Sequence, residues 1–306
     1  MPGPRIAVGP DGIRSWLAPA VEAGGADLVG YEAADGLVWA AHEAPAELGE
    51  VLDAHPGVSW VQLPWAGVEP YVEVIAAHAD RTWTCGKGVY AEPVAEHALT
   101  LLLAGLRGLD TYARTATWEK PRGRNLLGAN VVIVGGGGIT TSLLRLLAPF
   151  GCDVTVVRRS PAPIAGATRV VDASGLDDAL LGADALVLAL ALTPETLGLI
   201  DRRRLDLLAD HAWVVNVARG RHIVTDDLVG ALRVGSIGGA GLDVTDPEPL
   251  PDGHPLWSLP NVLITPHVGN TPEMAVALLS ARITENVRRF GTGEQLLGLV
   301  DPAAGY

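Results

Sequence analysis

Residues Val131–Leu147 read VVIVGGGGITTSLLRLL. Four apolar residues run into four glycines, and the glycines run into apolar residues at helical spacing. A chain of this kind folds as strand, tight turn and helix, with little room for another arrangement. Gly135 and Gly137 take the first two places of the pattern G-x-G-x-x-G. The first allows a tight turn, and the second leaves the backbone bare where a pyrophosphate must approach it. Gly138 and Ile139 then open a helix whose N–H groups and positive dipole end face that phosphate. Thr140 stands at the third place, where a glycine normally allows close helix–strand contact, and is expected to hold the helix slightly outward.

The same rhythm continues on both sides. Short runs at Arg5–Val8, Asp27–Gly30, Val58–Leu63 and Thr82–Cys85 read as strands separated by helix-spaced segments. A second series has expected strands at Val131–Val134, Val154–Val157, Ala185–Leu190, Trp213–Val217, Gly239–Asp243 and Val262–Thr265. Alternating strands and helices imply parallel sheets covered on both faces. The expected class is α/β with two Rossmann-like domains. One is a doubly wound dinucleotide-binding domain over residues 98–277. The other is a flavodoxin-like substrate domain formed by both chain ends, 1–97 and 278–306.

Composition excludes several classes. With 48% hydrophobic and 19% charged residues the chain is globular. A net charge of −13 argues against a nucleic-acid partner. Two cysteines make no disulfide framework, and no His/Cys/Asp/Glu spacing suggests a metal site. No apolar run is long enough for a membrane span, and the first residues lack the features of a signal peptide. The expected compartment is the cytoplasm. The segment VAEHALTLLLAGLRGL is apolar nearly all round, which predicts burial between layers or subunits. His97 within it reads as structural.

The second strand of a dinucleotide fold usually ends in an acid that accepts from the ribose 2′-hydroxyl. Here that place holds Arg158, followed by Arg159 and Ser160. A guanidinium cannot accept a hydrogen bond, but it can pair with a 2′-phosphate. The pattern therefore predicts NADP(H) in preference to NAD(H). The bland reading is a solvated charge pair at a strand end.

Three further stretches, VVNVARGRHIV, GLDVTDPEPLP and NVLITPHVGN, follow in order. With the glycine turn and VAEHALTLLLA, the chain resembles the D-isomer-specific 2-hydroxyacid dehydrogenases, in particular those of the glyoxylate/hydroxypyruvate reductase kind. The resemblance implies reduction of a small 2-oxo acid to the D-2-hydroxy acid, or the reverse, in a homodimer. It places the catalytic arginine on Arg219, the acid on Glu248 and the histidine on His267. It puts Asp243 on the nicotinamide carboxamide, Val217 and Ala218 along the nicotinamide, and Trp65, Ala66 and Gly67 on the substrate carboxylate.

The residue types suit that chemistry independently. An imidazole such as that of His267 can hold or give a proton near neutral pH, and a carboxylate partner favours its charged form. An arginine such as Arg219 is a permanently charged planar fork for carboxylate and carbonyl oxygens. Taken singly, each has an ordinary reading as a surface charge, a proline-rich acidic loop or a capping histidine. Two other readings of the set stay open: a phosphite-type dehydrogenase of the same fold, and a dinucleotide-sensing binding protein without turnover.

Overall fold

The first sheet is built from short runs whose alternate residues face opposite layers. In the computed structural model, which describes residues 3–10, 12–41 and 44–301, its strands are β1 (Arg5–Gly9), β2 (Asp27–Leu28), β3 (Gly36–Trp39), β4 (Trp60–Gln62) and β5 (Thr82–Thr84). All are parallel, in the order β2-β1-β3-β4-β5. That order is the flavodoxin-like one. Ile6, Val38 and Trp60 pack on one side, against Leu17 and Val21 of helix Leu17–Ala23 and Leu279, Ile283 and Val287 of helix Pro272–Thr292. Ala7, Leu37, Trp39 and Val61 pack on the other, against helices Pro45–Ala54 and Val72–Ala77. The period of two in the burial is the pleat of the strand.

The second sheet has seven parallel strands: β6 (Asn130–Val134), β7 (Asp153–Val157), β8 (Arg169–Val171), β9 (Ala185–Leu188), β10 (Trp213–Asn216), β11 (Gly239–Leu242) and β12 (Val262–Ile264). Their order is β12-β11-β10-β9-β6-β7-β8. The chain starts in the middle, runs to one edge, and returns to build the other half. The reversal point lies between β6 and β9, and doubly wound sheets bind ligands outside such a point. Val132, Val134, Leu186, Leu188 and Val214 face one core, while Val131, Ile133, Val187 and Val215 face the other.

By compactness the chain divides into Met1–Tyr90 with Thr271–Tyr306, and Ala91–Asn270. The sequence reading draws these boundaries seven residues later, at 98 and 278, within helices Ala91–Leu106 and Pro272–Thr292. Two strands are not anticipated from the sequence. β3 is buried on both faces, so LVWAA shows no alternation to read. β8 is a three-residue edge strand, too short for a period.

Helix Ala91–Leu106 buries Ala95, Ala98, Leu101 and Leu102 within its own unit. Gly105 lets it settle on Trp213, because a Cβ there would strike the indole. Glu92, Glu96 and Thr100 form an exposed stripe at helical spacing. The segment after it leaves Leu109, Trp118 and Leu127 exposed. Among the described residues no helix is long and apolar enough to cross a membrane, and no group of three or more His, Cys, Asp or Glu could hold a metal ion.

Candidate active site

The glycine turn leaves β6 at the reversal point of the second sheet. Gly135 has φ 115°, and its N–H donates to the Val157 carbonyl at 2.8 Å. A Cβ here would collide with the Ala189 carbonyl beyond β9. The first glycine is thus required by the protein itself. Gly137 differs. It precedes helix Gly138–Leu147 in extended backbone, and a Cβ on it would meet nothing. Its bareness serves no internal packing and suits close approach by a phosphate. Gly138 is exposed beside it, and Ile139 is half-buried in the first turn. Thr140 is fully buried, and its hydroxyl donates to the Gly135 carbonyl at 2.9 Å. The side chain at the third place is absorbed into a bond that braces the turn.

Arg158 follows β7, its N–H donating to Val171 at 3.0 Å. Its side chain crosses Gly136 so closely that a Cβ on that glycine would come within 2.7 Å of Nε. Gly136 is a residue the motif treats as a free position. Arg159 and Ser160 are exposed next to it. The Glu195 carboxyl lies below its ordinary range, through hydrogen bonding from Thr193 first and, among smaller causes, through the charge of Arg159. Arg159 therefore shares its field with an acid, and Arg158 is the arginine held on the turn.

After β10 the chain passes through Val217, Ala218 and Arg219 under the control of Asn216, which the sequence reading does not single out. Asn216 is 1% exposed. Its Oδ1 accepts from Ala218 N–H at 3.0 Å, and its Nδ2 donates to the Arg219 carbonyl at 2.8 Å. Val217 and Ala218 are buried. Gly220 then lies flush on the loop after β11, since a Cβ there would strike the Thr245 carbonyl. This contact brings the Arg219 loop beside the Glu248 loop. Arg219 Nη1 donates to the Ala218 carbonyl at 2.8 Å.

Glu248 and His267 meet directly, with Oε1 and Nδ1 2.7 Å apart. Among the described residues Nε2 has no hydrogen-bond partner. His267 has φ 54°, a left-handed backbone unusual for a side chain of this size. Its N–H is fixed by the Asp243 carbonyl at 2.8 Å. The hydrogen bond from His267 holds the Glu248 carboxyl below its ordinary range against the opposing effect of burial, and the charge of Arg219 acts in the same direction. The three residues thus share one electrostatic neighbourhood.

Asp243 is 3% exposed. Burial pushes its pKa up, but donors from His97, Thr265, Val268 and Gly269 outweigh it and bring the value to about 2. Oδ1 accepts from the Thr265 hydroxyl at 2.6 Å and from Val268 N–H at 2.9 Å, and Oδ2 from Gly269 N–H at 2.9 Å. His97 Nε2 stands 2.9 Å from Thr265 Oγ1 and 3.3 Å from Asp243 Oδ1. The Thr265 proton is committed to Asp243, so His97 is the donor to Thr265. His97 is therefore tied to a candidate site residue and is more than helix packing. Its distance of 168 residues from Thr265 hides the pairing from a sequence reader.

In the other unit, the loop after β4 carries Trp65, Ala66 and Gly67. Trp65 accepts on its carbonyl from Gly86 N–H at 2.7 Å. Ala66 is exposed and Gly67 half-exposed. Their N–H groups donate to no described residue.

Residues 98–269 match the model of the D-isomer specific 2-hydroxyacid dehydrogenase NAD binding domain. The chain belongs to the D-isomer specific 2-hydroxyacid dehydrogenase family. It is 38% identical over 263 residues to an uncharacterized protein in the proB 3'region of Corynebacterium melassecola, covering 84% of this chain and 86% of that one. It is 34% identical over 221 residues to glyoxylate/hydroxypyruvate reductase A of Serratia proteamaculans, covering 71% and 69%. Among solved structures, a D-isomer specific 2-hydroxyacid dehydrogenase from Xanthobacter autotrophicus Py2, in complex with NADPH and MES, superposes over the whole of both chains with a TM-score of 0.84 at 28% identity. Membership gives the chain's class as an oxidoreductase, and the family's nucleotide-binding domain coincides with the seven-stranded sheet and its glycine turn.

Proposed function

We propose that this family member reduces a small 2-oxo acid to the D-2-hydroxy acid, with NADP(H) preferred and NAD(H) accepted. The supporting observation is the Glu248–His267 pair at 2.7 Å, with the second ring nitrogen unbonded among the described residues. An imidazole held by one nitrogen on a carboxylate and open at the other is arranged to move a proton. His267 would give that proton to the carbonyl oxygen through Nε2. Glu248 would fix the ring through Nδ1. Arg219 would bind the carboxylate and polarise the carbonyl, adding fixed positive charge where negative charge develops. The Ala66 and Gly67 N–H groups would donate to the substrate carboxylate beside Trp65.

The fit to a dinucleotide rests on Gly135, Gly137, Gly138 and Ile139 at the reversal point, and on Arg158 lying over Gly136. Arg158, with Arg159 and Ser160 at its side, would hold the 2′-phosphate. Val217 and Ala218 would line the nicotinamide, and Asp243 would take its carboxamide. The bound cofactor supplies the hydride. The Serratia relative is a glyoxylate/hydroxypyruvate reductase and the Xanthobacter structure holds NADPH, which supports both halves of the reading.

A homodimer is part of the proposal, motivated by the exposed apolar residues Leu109, Trp118 and Leu127 after helix Ala91–Leu106. The deciding experiment is turnover of NADPH with glyoxylate, hydroxypyruvate, pyruvate and phenylpyruvate. Reduction of at least one, with the D-hydroxy acid as product, is expected. A folded protein that consumes NADPH with none of them, nor with any longer 2-oxo acid, would refute the assignment.

A further inference from the structure

Two arginines of the first unit lie in one corner with no carboxylate partner among the described residues. Arg14 places its guanidinium carbon 4.6 Å from the centroid of the Trp65 ring. It reaches that position from a backbone φ of 51°, a left-handed conformation seldom adopted by a long side chain. Arg282, on helix Pro272–Thr292, donates through Nη1 to the carbonyls of Lys87 at 3.1 Å and Cys85 at 3.4 Å. Gly298 leaves room for it, since a Cβ there would come within 2.7 Å of Nη1.

The two cations flank the same piece of backbone. Gly86, between the two carbonyls that Arg282 holds, donates to the Trp65 carbonyl at 2.7 Å. Tyr90 donates its hydroxyl to the Pro64 carbonyl at 2.7 Å, and both arginines exert their charge on it. Neither arginine makes a salt bridge with any described residue. Both are half-buried, and burial pushes both guanidinium pKa values down. Other arginines of this acidic chain, of net charge −13, pair with acids, as Arg203, Arg288 and Arg289 do. Partly desolvated charges without a counter-charge are costly to fold and are retained where a ligand supplies the counter-charge.

We propose that Arg14 and Arg282 form a second anion site beside the Trp65–Gly67 loop, and that the preferred substrate is a 2-oxo acid carrying a second carboxylate. This rests on the assignment of that loop to substrate. The loop's N–H groups take one carboxylate, and the planar forks take the other. Arg14 is seated on the Trp65 ring beside that loop, and its planar fork suits a bidentate contact.

The test pairs 2-oxo acids of equal length with and without the terminal carboxylate: 2-oxoglutarate against 2-oxopentanoate, and oxaloacetate against 2-oxobutanoate. The full-length protein should favour the diacid of each pair in kcat/KM by about tenfold or more, as expected for one charge-assisted contact. Arg14→Gln should erase most of that ratio, and Arg14→Lys should keep part of it. Arg282→Lys is the second variant, because Arg282 also braces backbone, and circular dichroism checks each fold. Equal kcat/KM for the members of each pair overturns the proposal, as does a ratio unchanged in folded Arg14→Gln and Arg282→Lys. If no 2-oxo acid is turned over, the catalytic reading fails by itself, and calorimetry with malonate and acetate decides the anion site. Tighter malonate binding that is lost in Arg14→Gln supports the site, and no such difference removes it.

Discussion

Arg158 lies across Gly136, and a methyl group on that glycine would sit 2.7 Å from the guanidinium Nε. The third glycine of the run is bare toward solvent, whereas the second is bare toward an arginine. The turn and the end of β7 therefore work as one surface, with backbone donors on one side and a fixed cation on the other. The absence of an acid at Arg158 also removes repulsion of a 2′-phosphate. Arg158→Asp should lower kcat/KM for NADPH by on the order of tenfold or more while NADH use is kept or improved. Gly136→Ala should displace the guanidinium and lose part of the same selectivity. Comparing both cofactors in the three proteins checks this. Equal use of both cofactors by the unmodified protein would remove Arg158 from the site. Rising salt should reduce the preference, since the arginine stands at a solvated rim.

The His267–Glu248 contact separates two effects. His267→Ala should reduce turnover by about 10²–10⁴-fold through loss of the proton donor. Glu248→Gln should lower turnover by a smaller factor, since the ring loses the carboxylate that holds Nδ1 in place. Steady-state rates of both variants test this. Near-normal turnover in a folded His267→Ala protein refutes the role.

His97 acts on Asp243 directly and through Thr265. Removing it leaves the Thr265 hydroxyl without its donor and loosens a carboxylate whose orientation the nicotinamide would sense. One neutral hydrogen bond is worth about 1 kcal/mol, or about a fivefold change in an equilibrium constant. His97→Ala should accordingly raise the cofactor KM by about that factor with a smaller change in kcat. An unchanged cofactor KM would return His97 to simple packing.

Asp243 also makes stability depend on pH. Its carboxyl falls from an ordinary 3.8 to about 2 in the folded protein. A depressed carboxylate contributes its stability above its unfolded value and loses it as pH falls through the folded one. The window is pH 3.8 down to about 2, and the contribution is about 2 kcal/mol for a group this buried. The stability difference between the protein and Asp243→Asn should narrow as pH falls from about 5 to about 3. Urea unfolding at several pH values measures it, and a gap that widens would show that Asp243 is not stabilised as an anion.

The assembly is open to a direct measurement. Trp118, Leu109 and Leu127 are exposed in the segment that follows helix Ala91–Leu106. Light scattering at micromolar concentration should give twice the chain mass, and Trp118→Ser should shift the protein toward monomer. A stable monomer before any substitution ends the dimer proposal.

The sequence by itself determined the parts that depend on local pattern. The strand–glycine–helix run at Val131–Leu147, the βα alternation and the order of the motifs around Arg219, Glu248 and His267 are legible because turn chemistry and hydrophobic period act over a few residues. β3 and β8 were not legible, one because double burial leaves no alternation and the other because three edge residues leave no period. The tertiary structure alone decided what meets across long separations. It put His97 on Thr265, Arg158 over Gly136, Gly220 against the Thr245 carbonyl and Arg14 over Trp65. Each of these contacts is set by how strands and helices pack, and a side chain's partner across a sheet or a layer leaves no trace in the spacing of its own neighbours.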